Sequence, residues 1–346
     1  MSKYLVLIEP GGIGDYIFCR PFFKFIRQSN RFKDHKIIYI AQDRYSDFVH
    51  KYDKKYFDHI ITYNIDALSK NKHYQKYFYQ EINKFDIDTL WNLRTNIIPN
   101  QKDTGYRRRL ALKIKAKHKI VEIIKTQNNF FLESKIKFYN EPYYCDLDMS
   151  FELERRQKIF SKILNIDIPE QNLIDTYKNP DVLSNYIVLS TQALNQNRML
   201  PLEKWNIIIT NLQTKYPNKK LVFIGSDKDS NYIQELIYSL PNKSNCINFA
   251  GKTSLAELPE FLKRCDFMIA VETGTVHIAN LVGCKTICLS NGAFYNRFHP
   301  YKNSSVSYIY PEKFNELIKT DSLDKLDVWS GNSPCNTMDI SIENII

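Results

Sequence analysis

The sequence of 346 residues contains no long uninterrupted apolar run of the kind that a membrane-spanning helix needs. Its first ten residues lack the basic segment and small-residue cleavage site of a secretory signal peptide. Seven scattered cysteines include no Cys-x-x-Cys pair, so neither a zinc site nor any other metal site is expected. An odd number of cysteines without an export signal is typical of reduced thiols. We therefore expect a cytoplasmic protein.

The charge is uneven, with 48 Lys and Arg against 38 Asp and Glu and a net charge of +10. One segment, residues 107–119, concentrates basic side chains at Arg107, Arg108, Arg109, Lys113, Lys115, Lys117, His118 and Lys119. Such a cluster suits phosphate-bearing partners, namely nucleic acid, anionic lipid headgroups or a phosphorylated glycan. Composition alone favours the simpler interpretation, a solvated face of a lysine-rich protein.

Strand and helix patterns alternate along the first half of the chain, which indicates a parallel sheet covered by helices on both faces. Compact apolar runs predict strands over residues 3–8, 36–41, 59–63 and 87–93. Apolar residues at three-and-four spacing predict helices over residues 15–27, 43–52, 70–85 and 145–163.

The same alternation restarts after residues 165–184, a polar stretch with two prolines that we interpret as an interdomain linker. Strands are predicted over residues 186–190, 220–224, 267–271 and 285–289, and helices over 202–215, 232–240, 254–264 and 275–281. The predicted fold class is α/β, with two Rossmann-like domains facing a cleft. We place these domains at residues 1–175 and 180–335, followed by a closing segment at 336–346.

A glycine-rich turn follows the first predicted strand, and Gly11, Gly12 and Gly14 would let the backbone approach a ligand closely. It lacks the Gly-Lys-Ser/Thr ending of a P-loop, and Ile17 stands where a dinucleotide fingerprint has its third glycine. ATP and NAD binding are therefore not expected, and no cofactor is predicted. Asp15 then opens a helix at the edge of the sheet, where its ordinary role would be a helix cap.

A second constellation runs from Glu272 through Thr273 and Gly274 to His277, between a buried strand and a helix. Free amides at a helix N-terminus make a ready diphosphate site. Glu272 is a candidate for bonding sugar hydroxyls, and His277 is a candidate for contacting a phosphate or the nucleoside. The structural alternative is a helix cap beside a surface histidine.

Two weaker pieces also fall at predicted strand ends. Ser190 and Thr191 end the first strand of the second domain, and the loop residue Arg198 follows them. Hydroxyls and a guanidinium in this position suit a pyrophosphate. Asp229, in the turn after the next strand, is a candidate for binding ribose hydroxyls. For both groups the alternative is that these residues only form turns and that the arginine is solvated. All these strand ends are nevertheless predicted to face one ligand site.

These residues resemble glycosyltransferase family 9, the bacterial heptosyltransferases of lipopolysaccharide core assembly. Residues 5–15 are similar to the start of that family, and Arg198, Pro201 and Trp205 are similar to its Lys-x-Trp-Pro loop. Residues 249–258 and the later Glu-Thr-Gly-x-x-His at 272–277 resemble its Gly-x-Thr-Ser-Leu segment and its Asp-Thr-Gly-x-x-His donor motif. The resemblance spans nearly the whole chain and is weak from about residue 94 to residue 185.

The resemblance implies a GT-B fold and an inverting, metal-independent transfer from a nucleotide sugar, usually ADP-heptose. It implies that Asp15 is the general base and that Arg198 grips the donor diphosphate. Thr273, Gly274 and His277 would complete the donor site. Glu272 stands where the family has Asp and Arg198 where it has Lys, and both departures lie in the implied donor site rather than at the implied base.

The acceptor is expected to bind the first domain, at Gly12 and at the basic residues Arg107, Arg108 and Arg109. A phosphorylated glycan or glycolipid such as the lipopolysaccharide core would suit these cations, with peripheral contact to the inner membrane leaflet. Two other functions remain open from sequence. One is a non-catalytic nucleotide-sugar or glycan-binding protein on the same fold. The other is a nucleic-acid-binding module. The sequence lacks a recognisable motif for it and, apart from Tyr106, interleaved aromatics, so no nucleic-acid partner is expected.

Overall fold

The computed structural model describes residues 2–96, 106–125, 137–146, 151–170, 185–302, 304–323, 331–343 and 345. The chain divides into two compact units, Met1–Gln171 and Asn172–Ile346. Each unit contains one six-stranded sheet in which every pair of neighbouring strands is parallel. The predicted α/β fold class, with two sheets of the Rossmann type, is therefore confirmed.

The sheet of the first unit has the strand order β3-β2-β1-β4-β5-β6. These strands are β1 (Tyr4–Ile8), β2 (Lys36–Gln42), β3 (His59–Tyr63), β4 (Ile87–Asn96), β5 (His118–Lys125) and β6 (Glu141–Asp146). Strand β1 lies between β2 and β4, and its residues from Leu5 to Ile8 are fully buried. A strand covered on both faces must be apolar throughout, which explains its uninterrupted hydrophobic run.

The described helices of the first unit connect these strands along the chain, except for the last, which follows β6. They are α1 (Ile13–Cys19), α2 (Phe23–Gln28), α3 (Ser46–Tyr52), α4 (Ile65–Lys70), α5 (Lys72–Ile82), α6 (Tyr106–Lys113) and α7 (Glu152–Leu164). The single helix predicted over residues 15–27 is wrong, because a 3₁₀ turn at Arg20–Phe22 separates α1 from α2. Pro21 lies in that turn and has no amide hydrogen to continue an α-helix.

The helix predicted over residues 145–163 also begins too early. Cys145 belongs to β6, which pairs with β5, and the helix begins at Glu152. The sequence prediction missed both β5 and β6. Both strands carry polar residues among the apolar ones, so neither has the compact hydrophobic run that marks a buried strand.

The sheet of the second unit has the order β12-β11-β10-β7-β8-β9. Its strands are β7 (Tyr186–Ser190), β8 (Lys220–Ile224), β9 (Cys246–Asn248), β10 (Met268–Val271), β11 (Thr286–Leu289) and β12 (Val306–Ile309). Strands β10, β7 and β8 are neighbours, so their carboxyl ends meet at one edge of the sheet. The edge strands β9 and β12 were not predicted.

Five α-helices accompany this sheet in the described part of the second unit. They are α8 (Leu202–Lys215), α9 (Ser230–Ser239), α10 (Leu258–Lys263), α11 (Gly274–Leu281) and α12 (Glu312–Lys319). The start predicted at residue 254 is four residues early, because Ser254 and Glu257 instead form a capped turn before α10. Apolar side chains of α8 and α9, including the fully buried Trp205, form the main core of the unit together with β7 and β8.

Two sequence predictions, the linker and the basic cluster, concern residues that the structure describes only in part. Residues 171–184 of the predicted linker lie outside the described residues, as do the side chains of Arg107 and Arg108. Within the described ranges, no helix has the length and apolar character needed to cross a membrane.

Candidate functional site

The carboxyl ends of β7 and β10 bring together two of the groups of candidate site residues that the sequence predicted. Ser190 of β7 is in register with Ala270 of β10, and each strand continues directly into predicted site residues. Thr191 follows Ser190 and is fully buried, while Glu272 and Thr273 follow β10. The hydroxyls of Thr191 and Thr273 are both shielded from solvent without a hydrogen-bond partner among the described residues. Buried hydroxyls are normally bonded, so this pair is suited to a ligand with acceptor oxygens.

Arg198 and Glu272 form an ion pair at this edge of the sheet. The guanidinium Nη1 lies 2.9 Å from Oε2 of Glu272, and the side chain of Glu272 is 5% exposed. Burial raises the pKa of Glu272, and the neighbouring positive charge of Arg198 partly offsets this shift. The Arg198 guanidinium also lies 4.9 Å from the ring centroid of Phe294, and its Nε has no hydrogen-bond partner among the described residues. Arg198 therefore retains an unused donor.

The loop that carries Arg198 is held by residues distant in sequence. The carbonyl of Asn197 accepts hydrogen bonds from Asn291 Nδ2 at 3.3 Å and from Thr337 Oγ1 at 3.2 Å. Asn291 also donates to the carbonyl of Cys335 at 3.2 Å. The segment that follows β11 and the C-terminal residues thus fix the position of the arginine backbone. This order would limit the entropy lost if Arg198 bound a ligand.

Phe294 adopts a left-handed backbone conformation with φ of 65° beneath Arg198. That conformation is rare for a bulky side chain and costs about 1–3 kcal/mol. Gly331 makes room for the ring, since a Cβ atom at Gly331 would lie 2.4 Å from Cζ of Phe294. The strained residue therefore supplies an aromatic platform for the guanidinium.

Helix α11 begins at the same edge, with Thr273 as its N-cap residue. The amides of its first turn lack intrahelical acceptors, as at every helix start. His277, one turn into the helix, is buried rather than at the surface, and its Nδ1 forms a short hydrogen bond with the hydroxyl of Tyr301. The combination of free amides, hydroxyls and a cation can hold an anion with two or more negative charges.

The sequence patterns gave no sign of Asn291, Phe294 and Tyr301. The first two hold Arg198 and its loop, and Tyr301 bonds His277. The Asn291-Gly292 dipeptide after a strand was a turn signal, but no local signal reveals which distant residues such a turn contacts. The nearby His299 is also buried, with its ring nitrogens bonded to Tyr310 and to the Ala293 carbonyl. Burial lowers the pKa of His299 to about 3, so this ring is neutral near pH 7.

Asp229, predicted to bind ribose, is engaged locally. Its Oδ2 accepts hydrogen bonds from the backbone amide and the hydroxyl of Ser226, both at 2.7 Å. A Cβ atom at Gly225 would lie 2.9 Å from the same oxygen. In this structure Asp229 caps the turn after β8, which accounts for its position without a ligand.

Asp15 has the same local geometry in the first unit. Its Oδ2 accepts a hydrogen bond from the amide of Gly12 at 3.1 Å, and Gly12 is the N-cap residue of α1. The carboxylate is half-buried. Because Oδ1 accepts no hydrogen bond among the described residues, one oxygen remains available for a proton. Asp15 is therefore both a helix cap and a candidate base.

A buried network supports the glycine turn that precedes Asp15. Glu9 is fully buried and accepts hydrogen bonds from Gln42 at 3.0 Å, Tyr45 at 3.1 Å and Tyr63 at 2.7 Å. Gln42 also donates to the carbonyl of Gly11 at 3.3 Å. A buried carboxylate that accepts several hydrogen bonds is rigid. Through Gln42, this network fixes the backbone of the turn at Gly11.

Gly11→Ala is expected to reduce turnover at least tenfold, because the added Cβ would lie 2.2 Å from Oδ2 of Asp15 and force the carboxylate to move. In Gly12→Ala the added Cβ meets nothing within 4 Å and leaves Asp15 in place, so this variant measures the effect of a methyl group on the predicted acceptor residue alone. Steady-state rates of nucleotide release at saturating substrates would measure both. Equal rates for Gly11→Ala and the wild-type protein would show that the position of Asp15 is unimportant.

The basic segment forms an exposed face at and after α6. Arg109, Lys113, Lys115 and Lys117 are exposed, and Leu112 lies exposed among them. Other basic residues of the segment have local partners. Lys119 Nζ donates to the carbonyl of Ala111 at 2.8 Å, and His118 lies 2.7 Å from Glu141. The exposed members therefore create a concentrated positive surface on the first unit.

Comparison with known proteins gives a consistent result. The model of "Glycosyltransferase family 9 (heptosyltransferase)" matches residues 93–327, more than half of the chain. No curated protein matches the sequence.

Solved structures agree over nearly the whole chain. A glycosyl transferase family 9 protein from Veillonella parvula has a TM-score of 0.68 and 17% identity, and the match covers 99% of this chain and 94% of that one. For the E. coli heptosyltransferase WaaC with ADP-2-deoxy-2-fluoro heptose the TM-score is 0.65 and the identity 14%, and the match covers 92% of this chain and 99% of that one. For E. coli ADP-heptose lps heptosyltransferase II the TM-score is 0.62 and the identity 14%, with 94% of this chain and 99% of that one covered. At these identities the structural likeness establishes the fold.

Proposed function

Because the chain belongs to glycosyltransferase family 9, we propose that it transfers a heptose from ADP-heptose to a bacterial surface glycan such as the lipopolysaccharide core. One observation carries the donor half of this proposal. Arg198 and the two unpartnered buried hydroxyls of Thr191 and Thr273 lie beside the start of α11, at the carboxyl edge of a parallel sheet. A nucleotide diphosphate supplies the acceptor oxygens that these groups lack. Of the E. coli proteins of similar fold, one carries ADP-heptose in its name and WaaC is described with ADP-2-deoxy-2-fluoro heptose.

The donor groups have a defined role in this mechanism. As the bond between the sugar and the diphosphate breaks, negative charge grows on the leaving nucleotide. Arg198, the amides that begin α11 and the hydroxyls of Thr191 and Thr273 would stabilise that charge as preorganised donors. His277 would contribute a further polar contact, and its hydrogen bond to Tyr301 fixes the orientation of its ring.

Asp15 is the proposed general base. In an inverting transfer, an acceptor hydroxyl attacks the anomeric carbon from the face opposite the leaving group and must lose its proton. The Oδ1 atom of Asp15 would take that proton while Oδ2 stays bonded to the amide of Gly12. Positioned base catalysis of this kind contributes about 10²- to 10⁴-fold.

The donor assignment is tested by thermal stabilisation of the full chain. ADP-heptose should raise the Tm more than GDP- or UDP-sugars at equal concentration. A ligand that binds only the native state adds about 2.7 kcal/mol at 100 times its Kd. Equal or greater stabilisation by a UDP- or GDP-sugar would reject ADP-heptose as the donor.

The acceptor half of the proposal depends on the exposed basic face. Each Lys or Arg near an anionic membrane surface contributes about 1 kcal/mol, and this attraction fades within a Debye length. A phosphorylated glycolipid at the inner leaflet would therefore be attracted to the face that includes Arg109 and Lys113. The donor site contains its own cation, Arg198, so the basic face is not needed to bind the nucleotide.

Replacing Arg107, Arg108 and Arg109 with Gln should raise the KM for a phosphorylated lipid-linked acceptor and leave the KM for the donor unchanged. The dependence of the acceptor KM on salt should flatten, since fewer charges remain to be screened. Gln at Lys51, Lys54 and Lys55 removes the same charge from another exposed surface and serves as the control. Equal acceptor KM values in the two triple variants would reject a specific role for residues 107–109.

A further inference from the structure

Arg198 already pairs with an anionic side chain of the protein itself. Its Nη1 lies 2.9 Å from the carboxylate of Glu272. A donor diphosphate would bring at least two more negative charges to the same guanidinium. Resting on the function proposed above, we infer that the diphosphate displaces Glu272 from Arg198 and that Glu272 takes up one proton from solvent as the complex forms. Glu272 is thus a positioning residue that holds Arg198 until the donor arrives.

The surroundings of Glu272 explain why the displaced carboxylate would not remain charged. Glu272 follows β10 directly, and its amide donates to the carbonyl of Leu289 at 3.2 Å, which ties its backbone to β11. Its side chain is buried, and Arg198 is its ion-pair partner among the described residues. A buried carboxylate that loses its cation pays a large desolvation cost, and protonation removes that cost.

Few of the other groups around Glu272 can gain or lose a proton near neutral pH. One thiol and three phenols lie within electrostatic range of Glu272, those of Cys288, Tyr301, Tyr308 and Tyr310. Burial raises the pKa of all four, so each stays protonated near neutral pH. His299 stays neutral because burial lowers its pKa to about 3.

Among the described residues, Glu272 and His277 then remain as the titratable side chains beside the proposed diphosphate site. Burial already raises the pKa of Glu272 in the free protein, and the charge of Arg198 opposes that shift. Loss of this opposition and the nearby diphosphate both raise the pKa further. The affinity for a diphosphate should therefore fall as pH rises, because uptake of the proton becomes harder.

Glu272→Gln is expected to raise the affinity for ADP rather than lower it. Glutamine has nearly the same shape but does not compete as an anion for Arg198. The variant should bind ADP more tightly than the wild type, by roughly tenfold at pH 8.5, with a smaller difference at pH 6.5. A residue that mainly bonds the ligand would give the opposite result, a loss of affinity.

Isothermal titration of the full chain with ADP, in two pH 7.5 buffers of different ionisation enthalpy, measures the protons taken up. The wild type should take up about half a proton or more beyond the value for Glu272→Gln, which corrects for titration of ADP itself. Glu272→Asp should restore the uptake, because it restores a buried carboxylate, and His277→Gln should keep it. Melting curves would show that each variant is folded.

Equal proton uptake by the wild type and Glu272→Gln would overturn the inference and leave the donor site intact. Loss of the uptake in His277→Gln would assign the proton to His277 and overturn it as well. Weaker ADP binding by Glu272→Gln at every pH would show that Glu272 contacts the ligand rather than competing with it. Failure of the wild type to bind ADP at all would overturn both this inference and the proposed donor.

Discussion

Asp15→Asn is expected to lower kcat by about 10²- to 10⁴-fold and to leave the Kd for ADP unchanged. Asparagine keeps the size of the side chain and can still accept a hydrogen bond from the amide of Gly12. It cannot take a proton from the acceptor hydroxyl. The loss should therefore appear in turnover, since the base acts only in the transition state.

Glu257→Gln is the control for the capping role of such a carboxylate. Glu257 is exposed and accepts a hydrogen bond from the amide of Ser254 at 2.9 Å, three residues earlier, as Asp15 does from Gly12. Its replacement should leave kcat within about twofold of the wild type. If Asp15→Asn kept more than about a tenth of wild-type kcat, Asp15 would be a helix cap and another residue would be the base.

Arg198→Ala should weaken ADP binding by about 10- to 100-fold, which corresponds to the roughly 1.5–3 kcal/mol of a hydrogen bond to a charged group. The variant loses the cation and also leaves Glu272 buried without its ion-pair partner. Arg198→Ala and Glu272→Gln should thus change affinity in opposite directions, although they remove the two partners of one ion pair. Titration calorimetry at pH 8.5 would measure both values.

The stability of Arg198→Ala adds a second readout. Because burial raises the pKa of Glu272 and Arg198 no longer opposes the shift, the charged form of Glu272 destabilises the native state as pH rises. The Tm should fall more at pH 8.5 than at pH 6, and adding Glu272→Gln should recover it without restoring ADP affinity. Arg264→Ala, which removes an exposed cation of the same unit, should change neither quantity. Unchanged ADP affinity in Arg198→Ala would reject the proposed diphosphate site.

Parts of the fold could be predicted from local sequence because the signals there are strong. Strand β7 ends at Ser190 and helix α8 begins at Leu202 as predicted, because apolar runs are bounded by polar residues and by Pro201. Of the four edge strands, β3 was predicted, whereas β6, β9 and β12 were missed for a physical reason. A strand such as β6, covered by one neighbour, mixes Glu141, Pro142 and Cys145 and lacks the apolar run of a central strand.

The candidate site shows a similar division. Residues at strand ends, such as Thr191 and Glu272, could be placed together because neighbouring parallel strands end at the same edge of a sheet. The ion pair between Arg198 and Glu272 could not, since local patterns do not define a contact between residues so far apart. The same holds for Asn291, whose amide supports the carbonyl of Asn197 across the sequence.

The central claim is transfer of a heptose from ADP-heptose by a site that includes Arg198. The most direct test is ADP release from ADP-heptose by the full chain, measured with and without a phosphorylated lipid-linked glycan acceptor. We expect the acceptor to increase ADP release by at least 100-fold, because the chemical step requires an attacking hydroxyl. Binding of ADP-heptose without any acceptor-dependent release of ADP would contradict it.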